Sequence, residues 1–239
     1  MKKLSVLLIA ILLICSMVSC KDKKTTTTTE AAGTGDTSLI LGVGDTLFSD
    51  TLPANDPYLA TVATIVAASN PTKSVTSVAS YHKDLNRTLS SSEIYRVDDT
   101  HVLFEYSYEK ATEFVPGVSD GSVVIDAGQK LVAKSEFATG YTFKLTPSAL
   151  SLDAENFEAV ASIYAEASDT INLRAKVKAD KIDTFLGVDL EDGCIVEILF
   201  VCDKSDSSLL SVTVAIQYAN GNSLQISSNY SYDAQTFAH

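Results

Sequence analysis

The chain of 239 residues has no tryptophan, three histidines, four cysteines and 18 basic residues against 30 acidic ones. Each shortage closes off a class of function. The basic deficit leaves a net charge of −12 and argues against nucleic-acid binding, which needs cationic surface to displace counterions. It equally argues against a folded domain lying flat on an anionic membrane. Cysteine is too scarce for a disulfide framework. Cys194 and Cys202 share the segment "GCIVEILFVCDK", and eight extended residues set them about 26 Å apart, far beyond the roughly 7 Å that a disulfide spans. They read as small buried hydrophobes on one strand face with Val196, Ile198 and Phe200. No histidine stands at ligand spacing from either, so no metal is expected, and no other cofactor is expected.

Catalytic patterns are missing too. There is no G-x-S-x-G elbow, and "GVGDTL" at 42–47 is too short for a dinucleotide fingerprint. Asp99 and His101 are candidates for an acid–base pair, but a polar turn explains both more simply; His82 sits on a strand. "DLEDG" at 189–193 and "DKSDSS" at 203–208 lack the twelve-residue calcium-loop spacing and read as turns. The chain is not expected to be an enzyme.

What is present begins at the amino terminus. Lys2 and Lys3 precede the apolar run Leu4–Cys15, whose twelve residues suit a signal peptide and fall short of the roughly 20 that a membrane span needs. Met17-Val18-Ser19-Cys20 follows. This run resembles the lipobox of bacterial lipoproteins, with methionine where that family usually has leucine. Cys15 is a poorer candidate, because bulky Ile14 directly precedes it. The resemblance implies cleavage before Cys20, two acyl chains on that residue and an extracytoplasmic, membrane-anchored protein. Two chains hold a protein in a bilayer far better than one. Residues 1–19 are then the signal peptide. Their removal takes two lysines and leaves 16 basic against 30 acidic residues, a net charge of −14. Residues 20–38, with Thr25 to Thr29 at their centre, are too polar and low in complexity to order themselves and read as a tether.

Residues 39–239 suit one β-rich domain. Asp56, Pro57 and the spacing of Leu59, Val62, Ile65 and Val66 predict a helix over 57–69, stopped at Asn70-Pro71. Period-two alternation predicts strands at 74–82, 88–97 and 100–109. "SVVID" and "KLVAKSEF" read as a hairpin around Ala127-Gly128-Gln129, and "YTFKL" as another strand. A helical patch is expected from Ser151 to about Ala161, then a strand over "TINLRAKVK" and a short helix, "KIDTFL", stopped by Gly187. The chain closes on strands at 194–202, 209–219 and 223–232, the last two joined at Asn220-Gly221.

The expected fold is therefore α+β and β-rich. It is a strongly curved, half-barrel-like antiparallel sheet of 8–9 strands in meanders, packed on one main helix and two short ones. That layout, over residues 56–233, resembles the LolA-like and LppX-like lipoproteins and lipid carriers. The resemblance implies a lipid or other hydrophobic ligand on the concave face of the sheet. It carries over no individual residue. Tyr106, Tyr108, Tyr218, Tyr230 and Tyr232 lie on strand faces and can line a groove or fill the core. The alternative is a structural or interaction lipoprotein with a filled core and no ligand. Partners are expected to be a membrane, through the acyl anchor, and a lipid or amphiphile, with the protein monomeric.

Overall fold

The computed structural model describes residues 52–83, 87–111, 122–137, 140–163 and 168–235, with side chains described for all but 87–90, 109–111 and 122–125. All lie in one compact unit, Asp45–His239. The signal peptide, Cys20 and the tether lie outside the described residues.

Among the described residues nine strands form one open antiparallel sheet: β1 Lys73–His82, β2 Arg87–Val97, β3 His101–Ala111, β4 Ser122–Ala133, β5 Phe157–Ile163, β6 Thr170–Val177, β7 Ile195–Asp203, β8 Leu209–Gln217 and β9 Ser223–Ser231. Their order is β4-β3-β2-β1-β9-β8-β7-β6-β5. Two meanders, β1–β4 and β5–β9, thus join side by side through the β1–β9 pair. With helix α1, Leu59–Ala68, and the single-turn helix α2, Ile182–Leu186, this is the expected β-rich α+β class.

Register shows which residues share a face. One row across the sheet runs Leu173, Phe200, Val212, Ser228, Thr76, Glu93, Tyr106 and Gly128. From Leu173 to Thr76 every member is fully buried, Glu93 is 6 % exposed, Tyr106 is half-buried and Gly128 is open to solvent. The face therefore passes from dry to wet along the sheet. Helix α1 covers the dry end. Leu59, Val62, Ile65 and Val66 recur at helical spacing and are buried against β6 and β7. Burial of side chains this size stabilises by about 1.5–3 kcal/mol each.

The helix starts two residues later than its sequence suggests. The Asp56 carboxylate accepts the amide of Tyr58 at 2.9 Å and that of Ser162 at 2.8 Å. It is thereby fixed as a turn tied to the edge strand β5, and Pro57 lies in that turn. At the far end the chain turns extended at Ser69, two residues before Pro71, and the Ser69 hydroxyl donates to the Ile65 carbonyl.

Three local expectations fail. Residues 151–161 are not helical: a 3-10 turn, Ala154–Asn156, leads into β5, because Phe157 and Val160 bury into the sheet core. "YTFKL" is a 3-10 turn, Thr142–Lys144, rather than a strand. Gly128 is not a hairpin turn. It stands in the middle of β4, and the residues on both sides of it pair with β3. Tyr106 stands opposite, and a Cβ on Gly128 would come within 2.8 Å of its hydroxyl. The glycine is there to make room for a ring laid across the strand. Elsewhere local signals hold. Gly187 ends α2 at φ +68°, Gly221 turns the β8–β9 connection at φ +85°, and Cys194 and Cys202 are buried free thiols. Burial pushes the Cys202 thiol up to about 12.

Candidate functional site

The wet half of the core face lies over β2, β3 and β4, beyond the reach of α1. Period two puts Phe104, Tyr106 and Tyr108 on that face of β3, and register adds Tyr95 from β2. The four rings stack in sequence. Tyr95–Phe104 centroids are 4.9 Å apart at 22°, Phe104–Tyr106 5.2 Å at 20°, and Tyr106–Tyr108 5.0 Å at 30°. Phe137 meets Tyr95 and Phe104 edge-on, and Lys130 Nζ lies 5.7 Å from the Tyr106 centroid. Such pairs contribute roughly 0.5–1.5 kcal/mol beyond their burial. Except for Tyr95, which is buried, these rings keep part of their surface in solvent.

A charge pair closes the inner edge of this strip. Glu93 Oε2 accepts Lys144 Nζ at 2.9 Å and the Tyr95 hydroxyl at 2.7 Å, while Oε1 accepts the Tyr108 hydroxyl at 3.3 Å. Both charged side chains are nearly buried, at 8 % and 11 % exposure. The pair survives because three donors satisfy one carboxylate. Burial and the adjacent carboxylate push the Tyr108 phenol up to about 12, and the Tyr95 phenol higher still.

Lys144 reaches Glu93 from the Thr142–Lys144 turn, which two other contacts fasten. Tyr230, buried on β9, donates its hydroxyl to the Phe143 carbonyl at 2.7 Å. Tyr141 enters the turn in the left-handed region, φ 58°, at a cost of about 1–2 kcal/mol for a residue with a Cβ. Its ring packs edge-on against Phe143 with Lys144 Nζ 5.7 Å from the centroid, and its hydroxyl bonds that of Tyr218.

Tyr218 also lines an open cavity of about 410 Å³ at the end of β1 and β9. Ser80, His82, Asp189, Leu190, Glu191 and Leu224 are among its other lining residues. Ser80 and Leu224 are register partners on the same face as the ring strip. The cavity and the strip thus lie on one surface, bounded by the Tyr141–Lys144 segment. A smaller cavity, about 70 Å³, sits beside α2 between Phe143, Leu150 and Phe185. The dry half under α1 is packed side chain on side chain: Val62, Val66, Val196, Ile198 and Phe200 are fully buried.

The residues singled out from sequence scatter. His82 lies in the cavity wall, its Nε2 3.1 Å from Ser80 Oγ. His101 belongs to a turn in which Asp98, not Asp99, accepts its amide and that of Thr100. Asp203 and Asp206 accept the amides of Ser205 and Ser208, and bonds from Ser205 hold the Asp203 carboxyl below its ordinary range. Among the described residues no three His, Cys, Asp or Glu side chains converge as metal ligands. Of the five tyrosines, Tyr106 and Tyr108 form the strip, Tyr218 the cavity and Tyr230 the turn contact. Tyr232, 40 % exposed, donates to the Leu209 carbonyl. Sequence reasoning missed Glu93, Tyr95, Phe104, Phe137 and Lys144 as one group. The alternation of Glu93 and Tyr95 along β2 was the available signal; nothing local marks Lys144, 51 residues from its partner.

No known family model matches the chain, and no curated protein does. Among solved structures it is similar to a DUF1329 family protein from Desulfovibrio piger. The match is 10 % identical and covers 77 % of this chain and 96 % of that one, with a TM-score of 0.25. A likeness of that size carries no argument about function.

Proposed function

We propose that this protein is a bacterial lipoprotein, anchored through Cys20 on the extracytoplasmic side of a membrane, that takes an amphiphile on the wet half of its sheet face. The observation that carries this reading is the row Thr76, Glu93, Tyr106 and Gly128, where the core face emerges from beneath its cover while still lined with rings. Stacked, partly solvated rings accept a hydrocarbon or ring system, and the hydroxyls and charges at their edge accept a polar head. The lipobox-like Met17-Val18-Ser19-Cys20 and the polar tether support the address.

Native mass spectrometry of the chain from residue 36 onward, purified without detergent, tests the binding. The expected result is a co-purified or added fatty acid, lost on Tyr106→Ser/Tyr108→Ser. Ligand-free mass throughout, with no uptake of a fluorescent fatty acid, would refute it. Such a result would favour a second reading that the filled interior beneath α1 also supports, an interaction lipoprotein with no ligand.

A further inference from the structure

The two edges of the sheet are finished differently. Edge strand β5 is seven residues long, and the Asp56 carboxylate takes its outward amide at Ser162. The Pro53–Asn55 turn also packs on it. Edge strand β4 is twelve residues long, and among the described residues no backbone pairs with its outer side. Asp126 to Leu131 are exposed on both faces, and Leu131 is a large apolar side chain 41 % open to solvent. A long strand of this kind is a template for another strand, and natural edges block it with proline, bulges or unmatched charge. The one irregularity in the β3–β4 ladder is a bulge at Ile125 of β4, just before the exposed stretch Asp126 to Leu131, and that stretch itself has neither bulge nor proline.

From this edge we infer that β4 pairs antiparallel with β4 of a second copy of the chain, about a two-fold axis at Gly128. In an antiparallel pair, opposed residues both point their backbone groups outward or both inward, so their numbers share parity. That leaves few registers. Centred on Gly128, Asp126 stands opposite Lys130 of the partner subunit, and by symmetry the contact is made twice. Centred on Ala127, Asp126 meets Gly128 of the partner subunit; centred on Gln129, it meets Val132 of the partner subunit. Only the Gly128 register matches the single acid and single base of this strand. Gly128 meets its own copy, so no side chain intrudes where Tyr106 lies across the strand. The axis is perpendicular to the sheet and keeps both ring-lined faces on one side, so two nine-stranded sheets continue as one. The acidity of the chain opposes association at long range, but β4 itself is charge-neutral.

The test is sedimentation equilibrium of the full chain in density-matched detergent, with a charge-reversal cycle. The native protein should be a dimer. Asp126→Lys and Lys130→Asp should each weaken it at least about tenfold, since each turns two matched contacts into two like-charge ones. The double variant Asp126→Lys/Lys130→Asp should restore native affinity, because the matched contacts return reversed. Both side chains are exposed, and because Lys130 also lies near the Tyr106 ring, urea unfolding of each variant checks separately that the fold is kept. A monomeric native protein, a dimer indifferent to both single reversals, or a double variant no tighter than the singles would each overturn the inference.

Discussion

Replacing Lys144 with methionine keeps most of the side-chain length and removes the charge that Glu93 faces. The carboxylate loses its 2.9 Å bond to Nζ and keeps the Tyr95 hydroxyl at 2.7 Å and the Tyr108 hydroxyl at 3.3 Å. Breaking one side of a buried ion pair costs about 3–5 kcal/mol, because an uncompensated charge stays behind. Two hydroxyl donors to a charged acceptor remain, which places the loss near the low end, at about 3 kcal/mol. Glu93→Gln/Lys144→Met removes the stranded charge as well, and the amide oxygen still accepts from Tyr95. That double variant should lie within about 1 kcal/mol of the native protein. Urea unfolding reads both values from the shift in midpoint at constant slope. A single variant that loses less than about 1 kcal/mol, or a double variant no more stable than the single, would refute the account of a buried pair held by three donors.

Three further outcomes follow from the sequence and the structure. Cys20→Ala should leave an unprocessed precursor that takes up no alkyne fatty acid; persistent label, or a mature amino terminus elsewhere than residue 20, would sink the anchor. Asp56→Ala should cost about 2 kcal/mol and raise hydrogen exchange across α1 and the β5 edge, because one carboxylate serves Tyr58 and Ser162. Tyr108 has a folded value above its ordinary 10.0, so its contribution to stability is intact below that pH and is lost as pH rises through about 12. The raised phenols of Tyr95, Tyr141 and Tyr230 act in the same direction. Stability by urea should therefore fall above pH 10 with late phenolate absorbance; a flat profile there would contradict it.

Where side chains alternate against one wet and one dry face, the sequence was readable. Strands β1, β8 and β9 show this, and Asn220-Gly221 marks its turn by a positive φ that few residues but glycine adopt. Helix α1 was readable because four apolar residues at helical spacing have only one face to bury. The failures are places where a distant partner overrides a local preference. Residues 151–161 carry helix-compatible residues, yet pairing with β6 makes the second half a strand. "YTFKL" alternates like a strand, but Lys144 and the Phe143 carbonyl are claimed by Glu93 and Tyr230. Gly128 looked like a turn because the ring that needs its missing side chain lies 22 residues earlier. The candidate site was half legible for the same reason. Tyr106 and Tyr108 announce themselves by alternation, while the charge pair at their edge depends on strand order.

The junction of β1 with β9 also bears on how the chain reaches this state. Thr76 and Ser228, bonded across that seam at 2.8 Å, are 152 residues apart in sequence. Every other strand pairing joins neighbours along the chain. The β1–β4 meander can therefore form early from local contacts, whereas its seam waits for the last strand to be made. During that interval β1 is an uncovered edge, ten residues long, next to a growing chain rich in similar strands. Ser74, Ser77, Ser80 and Thr76 keep that waiting edge polar. Mutations that make β1 more apolar should thus harm the yield of folded protein more than the stability of the molecules that do fold.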